Sequence, residues 1–147
     1  MSAREDNGVR RCMAVGFDRS EGAQRAASWA AEQLQPDGKL VLVYASRPLH
    51  APPSPLASAK ERSQLGRAVL DEFLLESDDS IRDLELATEV LDEDPVKALI
   101  EAARRHSADA IVIGTEPHSR LHRALGVVTS ELLMSSPVPV IAVPAPQ

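Results

Sequence analysis

The sequence predicts an α/β protein in which a five-stranded parallel sheet carries helices on both faces. Three observations predict it. Short apolar runs alternate with segments of helical period in the order β-α-β-α-β-α-β-α-β, an alternation that gives parallel strands joined by right-handed crossovers. The runs Cys12–Phe17, Leu40–Ala45, Ala110–Gly114 and Val138–Val143 are nearly continuous, the pattern of strands covered on both sides. The 147 residues fit one domain, residues 11–147, preceded by a flexible polar tail over residues 1–10.

Each element carries its own signal. After the first run, Asp18-Arg19-Ser20 breaks the pattern, and Ser20 is a natural N-cap. Ala23, Ala26, Ala27, Ala30, Ala31 and Leu34 then recur at helical spacing, a small-residue stripe that lets a helix lie close to a sheet. Pro36-Asp37-Gly38 ends that helix before the second strand. Residues 46–56 contain Pro48, Pro52, Pro53 and Pro55 and predict an irregular loop. The next helix buries Leu65, Val69, Leu70, Phe73 and Leu74. Leu84, Leu86, Thr88 and Val90 alternate, so the third strand is expected to have one face less covered than the others. Asp92-Glu93-Asp94 leads into Pro95, a favoured first helical residue, and Val96, Leu99, Ile100 and Ala103 form the next helical stripe. After the fourth strand, residues 115–125 are polar and basic. A short helix, about Val127 to Met134, precedes the fifth strand.

Composition narrows the function. Sixteen basic against 22 acidic residues give a net charge of −6, which disfavours nonspecific affinity for nucleic acid or an anionic membrane. Aromatic residues make up 3%, poor material for stacking bases or sugars. The single cysteine, Cys12, excludes an internal disulfide and a cysteine-rich zinc site. It reads as a small apolar core residue. No apolar run approaches the ~18 residues of a membrane span, and the polar start has no signal-peptide core. A soluble cytoplasmic protein is therefore expected. Parallel sheets of this kind bind ligands beyond the carboxyl ends of their strands, where the strand order reverses. That points to loops 18–20, 46–56, 91–94 and 114–126.

Four pieces of sequence, in order, resemble the universal stress protein family. They are Ala14-Val15-Gly16-Phe17-Asp18-Arg19-Ser20 with its alanine-rich helix, Leu40–Ala45, Asp94-Pro95 followed by Ala108–Thr115, and Leu125–Leu133 running into Pro137–Val143. The resemblance covers about residues 11–144. It implies a flavodoxin-like or Rossmann-like sheet of strand order 3-2-1-4-5, usually a homodimer paired through the C-terminal strand 138–143. It also implies a regulatory module of the stress response, not an enzyme, that binds ATP or another adenine nucleotide. Any ATP hydrolysis would be slow and incidental, because no general base is placed by the sequence.

By resemblance, Asp18 contacts the base or ribose and Ala45 packs near the adenine. Gly114, Gly126, Val127 and Val128 belong to the phosphate-binding segment. Here the sequence departs from the family motif: Pro117 occupies the second glycine position, and only eight residues, His118 to Leu125, precede Gly126. Val127 stands where the family has Ser or Thr. Proline removes an amide donor and valine a hydroxyl, so the cradle is weakened. His118, Arg120 and Arg123 could supply cations to phosphate in compensation, or be solvated loop charges. Asp18 could equally accept amide hydrogens at the start of the following helix. His118 and His122 share a helical face but lack the acidic residue of a zinc-protease motif, so no metal site is expected. Asp92, Glu93 and Asp94 precede a helix, where negative charge is stabilising in its own right. Glu93 occupies a position at which many family members have glycine. His50 and His106 have no partner that the sequence identifies. The alternative to a nucleotide binder is a ligand-free dimeric interaction protein that has lost the pocket.

Overall fold

Along the central strand β1 (Cys12–Gly16), Cys12 and Ala14 face one side of the sheet and Val15 the other, and all three are buried. Side chains alternate across a strand, so a strand apolar at every position needs cover on both faces. The computed structural model, which describes residues 11–115 and 121–146 (backbone alone over 121–125), supplies that cover. The expected tail, residues 1–10, lies outside the described residues.

The remaining strands are β2 (Lys39–Ala45), β3 (Glu85–Leu91), β4 (Ala110–Gly114) and β5 (Val140–Val143). They lie in the order β3-β2-β1-β4-β5, every neighbouring pair parallel. This is the 3-2-1-4-5 order that the resemblance implied. Helices α1 (Glu21–Leu34) and α2 (Ala59–Glu76) cover one face, packing on Val15, Leu40, Leu42 and Val112. Helices α4 (Pro95–Arg105) and α5 (Leu121–Ser135) cover the other, over Ala14, Val41, Val43 and Ile111. The one-turn helix α3 (Asp79–Arg82) adds Ile81 to the first layer.

Helix α1 behaves as its stripe predicts: Ser20 caps it by accepting from the Ala23 amide at 3.1 Å, and every stripe residue is buried. In α4, Pro95 takes the first turn and the Asp94 carboxylate accepts from the Lys97 amide at 3.0 Å. Helix α2 opens with an unforeseen capping box, Ser58 with Glu61, which satisfies two orphan amides reciprocally.

Four expectations need correction. Leu65 was expected in the core but is 53% exposed; Gly66 takes the inward position, because a side chain there would lie 2.6 Å from the Tyr44 ring. The one-turn α3 was not foreseen, since four residues carry no period to read. The last helix starts at Leu121, not near Val127. Gly126 weakened the helical signal but, inside a longer helix, did not end it. The fifth strand is Val140–Val143, shorter than 138–143, because Pro137 and Pro139 delay ladder pairing. Among the described residues, no helix is long and apolar enough to cross a membrane.

Candidate functional site

Strand β1 is the point at which the winding reverses, and the backbone breaks sharply there. The Phe17 amide extends the pairing by donating to the Val43 carbonyl at 2.8 Å. Asp18 then turns outward, and Arg19 adopts φ 73°, a left-handed conformation that costs a non-glycine residue ~1–2 kcal/mol. The Ser20 amide donates to Asp18 Oδ1 at 3.1 Å and closes this turn. The local role open to Asp18, accepting an amide near the helix start, is therefore occupied by one of its oxygens, while the side chain stays exposed at the rim.

Below this turn lies a largely apolar cavity of about 120 Å³. Gly16, Phe17 and Asp18 line it from β1, Val43 and Ala45 from β2, Ile113 and Gly114 from β4. Ser20 and Ala23 of the first helix, Pro95 and Leu99 of α4, and Val128 of α5 close it. A cavity of about 150 Å³ holds a single benzene-sized ring. At about 120 Å³ this one is smaller, so it takes in only part of a flat ring system, and the rest of any ligand must project outward.

Of the residues singled out in the sequence, Asp18, Ala45, Gly114 and Val128 meet at this cavity. Gly126 and Val127 lie on exposed positions of α5 and do not line it. Because α5 begins at Leu121, their amides sit in its second turn, where helix bonds already use them. His118, Arg120 and Pro117 lie outside the described residues, as does the side chain of Arg123. Gly114 has a second reason to be glycine: a Cβ there would lie 2.0 Å from the Gly22 carbonyl oxygen. The end of β4 therefore touches the first turn of α1 backbone to backbone. Arg25 reinforces that contact by donating to the Thr115 carbonyl at 3.0 Å.

A charged cluster, missed in the sequence, ties the loops beside the cavity. Asp92 accepts from Ser46 Oγ at 2.8 Å, from Arg47 at 3.0 Å and from Arg62 through Nε and Nη2 at 3.0 and 3.1 Å. Those bonds, with Arg47 the largest contributor, hold the Asp92 carboxyl well below the usual carboxylate range. Sequence reasoning placed Asp92, Glu93 and Asp94 together as helix-start charges, yet only Asp94 caps. The neighbouring Glu93 is pushed the other way, first by its hydrogen bond to Glu101 and then by burial. The two histidines also acquire partners. His50, in the proline loop, contacts Glu131 of α5. His106 Nε2 lies 2.8 Å from Glu89, which also pairs with Arg105. Cys12 is buried, and that burial pushes its thiol up to about 11.

The sequence matches the family model described as the universal stress protein family over residues 10–144. Among solved structures, the chain is similar to a protein of that family from Burkholderia pseudomallei, with a TM-score of 0.66 and 27% identity, over 91% of this chain and 96% of that one. A universal stress protein in complex with cAMP gives a TM-score of 0.57 at 25% identity, over 90% and 95% of the two chains. A universal stress protein family protein from Arabidopsis thaliana with AMP bound gives 0.64 at 17% identity, over 92% of each chain, a likeness of fold. Comparison with curated proteins gives no match.

Proposed function

The chain belongs to the universal stress protein family, and we propose that it is a regulatory module of the stress response that holds an adenine nucleotide at the carboxyl edge of its sheet. One observation carries this reading: Asp18, Ala45, Gly114 and Val128 converge on one small, largely apolar cavity beside the reversal of strand order. The cAMP carried by the relative at 25% identity supports an adenine ligand. In the proposed pose the adenine enters between Ala45 and Val128, with Asp18 at the rim toward the ribose. The phosphates fall to the segment after Gly114, where the one amide lost to Pro117 and the hydroxyl lost to Val127 make binding weak. His118, Arg120 and Arg123 are the cations assigned to them. No catalytic residue is assigned.

The working unit in this proposal is a homodimer. Strand β5 lies at the sheet edge, and Val140, Ile141 and Val143 are only half-buried. Exposed Leu133 and Met134 lie close by in sequence on α5. An apolar edge is stabilised by pairing with its twin about a twofold axis. A cytoplasmic setting suits the lone buried thiol of Cys12.

A second reading, a ligand-free dimer, draws support from Gly114, whose contact with Gly22 accounts for a motif glycine without any ligand. Calorimetric titration of cAMP, AMP and ATP into wild type and Asp18→Ala separates the two. Binding of any of them that weakens about tenfold in Asp18→Ala, as losing a charged hydrogen bond of ~1.5 kcal/mol would produce, supports the nucleotide reading. No heat with wild type at millimolar ligand leaves the ligand-free dimer.

A further inference from the structure

Between β2 and α2 the chain runs through nine residues without a charge, Ala51 to Ala59, in a sequence of which 26% is charged. Three of the first five are proline. Each proline fixes its own φ at about −65° and drives the residue before it into extended conformations. Ala51, Pro52 and Ser54 all precede a proline, so little backbone freedom is left from Pro52 to Pro55. A chain so restricted takes the left-handed polyproline conformation, which makes no internal hydrogen bonds. In agreement, residues 52–54 belong to no helix, strand or turn.

Such a helix repeats about every three residues, which sorts its side chains onto three edges. Pro52 and Pro55 share one edge, and both are exposed. Ser54, on the second, is exposed too, while Pro53, on the third, is half-buried. The ridge is not covered by its own protein: a cleft of about 570 Å³ lies between Pro52 and Pro53 on one side and Asp94 and Lys97 on the other. A turn then closes the run, with the Leu56 amide donating to Ser54 Oγ at 3.2 Å and the Ala57 amide to the Ser54 carbonyl at 3.5 Å. It leaves Leu56 92% exposed, the most exposed large apolar side chain among the described residues.

Both ends of the segment are fixed. Upstream, Arg47 bonds to Asp92 through its side chain and to the Glu93 carbonyl through its amide, and His50 contacts Glu131 of α5. Downstream, the Ala57 carbonyl accepts from Arg62 at 2.8 Å, and Ser58 opens α2 with its capping box. The ordering that binding would otherwise cost is therefore already met by the fold.

We propose that residues 51–56 form a docking ridge for another protein that carries an aromatic-lined groove, the surface that reads polyproline helices. Flat aromatic faces suit an uncharged edge of proline rings, and Leu56 gives the ridge an apolar end. A second copy of this chain does not supply such a groove. It has four aromatic residues, and Phe17, Trp29, Tyr44 and Phe73 all pack in or against the core layer beneath α1 and α2. The ridge stands independently of the nucleotide reading and gives the protein a surface through which to act on a partner.

The test is NMR of the full, isotope-labelled chain titrated with purified polyproline-reading domains, WW domains among them. The amides of Ala51, Ser54, Leu56 and Ala57 should shift with at least one domain, and the shifts should saturate. Pro52→Ala and Pro55→Ala should each weaken that binding about tenfold, as truncating a seated residue does. Pro53→Ala, on the half-buried edge, should change it by about twofold at most, as contacts away from the seated edge do. All three prolines lie outside the core, and the amide spectrum of the strands reports that each variant keeps its fold. No shift with any domain at ~1 mM, where even millimolar binding is visible, overturns the proposal. So does a Pro53→Ala loss equal to the other two, which would make the segment merely stiff. Leu56 shifts that grow with this chain's own concentration would make a second copy the occupant, and overturn it as well.

Discussion

Gly114→Ala tests whether a family motif glycine is held by architecture. The added Cβ would fall 2.0 Å from the Gly22 carbonyl oxygen and 2.2 Å from its carbon. Contacts below 3.0 Å are not met by real Cβ atoms, and here the obstacle is backbone, so neither partner can rotate away. Relief requires the end of β4 to part from the first turn of α1 by about an ångström, against a contact that Arg25 also holds. Overpacking a close-packed site costs ~1–3 kcal/mol, and a backbone obstacle puts this variant at about 3. The control is Gly126→Ala. A Cβ at Gly126 meets nothing within 4 Å, and the residue lies within α5, so alanine there should stabilise by ~0.5–1 kcal/mol. Urea unfolding at pH 7, read by far-ultraviolet circular dichroism without nucleotide, gives both numbers. The two glycines should move stability in opposite directions by a combined ~4 kcal/mol. A Gly114→Ala loss below ~0.5 kcal/mol, the size of an ordinary surface change, would refute the steric argument and return Gly114 to a purely ligand-facing role.

Other outcomes follow from the same structure. Ile141→Lys, a charge on the edge strand, should convert a 31.6 kDa dimer (2 × 15.8) to a monomer in light scattering; a wild type monomeric at ~100 μM, well above micromolar dissociation constants, defeats the dimer. Cutting Leu70, fully buried on the inner face of α2, to alanine should cost ~2–5 kcal/mol, measured by the same urea titration. The Cys12 thiol has its folded value raised from 9.0 to about 11, so its contribution is intact below pH 9 and is lost as pH climbs toward 11. Across those two units wild type should lose ~2–3 kcal/mol more than Cys12→Ala, with the other alkaline titrations cancelling in the comparison. For Asp92, held low by its arginines, the sign reverses: its stabilisation is present above the ordinary carboxylate value and fades as pH falls, and Asp92→Asn should remove that acid limb from a pH series of unfolding midpoints.

The sheet was legible because its signal is redundant. Ala14, Val41 and Ile111 face one layer while Val15, Leu42 and Val112 face the other, so each buried strand reads as an unbroken apolar run. The stripe of α1 and the caps Ser20 and Asp94 were equally plain. Errors arose where one residue was asked to decide alone. Leu65 carries an apolar side chain in an amphipathic helix, yet the inward position belongs to Gly66, because the Tyr44 ring leaves no space for a side chain. The last helix was expected only from about Val127, but a single glycine such as Gly126 lowers helical stability by only ~1 kcal/mol, which neighbouring turns offset. The salt bridges were invisible for another reason: Arg62 on α2 reaches Asp92 across 30 residues, and only the packing of that helix on the sheet beside β3 brings the two together.

The cavity has a different origin, which explains why its position was readable and its contents were not. The chain leaves β1 toward β2 through a helix on one face, and returns from β3 to β4 through a helix on the other. The helices that begin nearest the carboxyl end of β1, α1 at Glu21 and α4 at Pro95, therefore lie on opposite sides of the sheet. Each helix walls the space beyond Gly16 from its own side and neither spans it, so a gap between them follows from winding direction. Strand order then fixes where a ligand would sit, and it does so for any sequence with this topology. Chemistry enters only through the rim, and the rim is drawn from loops whose side chains meet by tertiary accident. Asp18 was legible as the residue after a strand. The charged cluster on Asp92 was not, because Ser46, Arg47 and Arg62 reach that carboxylate from 30 to 46 residues away and no local pattern announces the meeting.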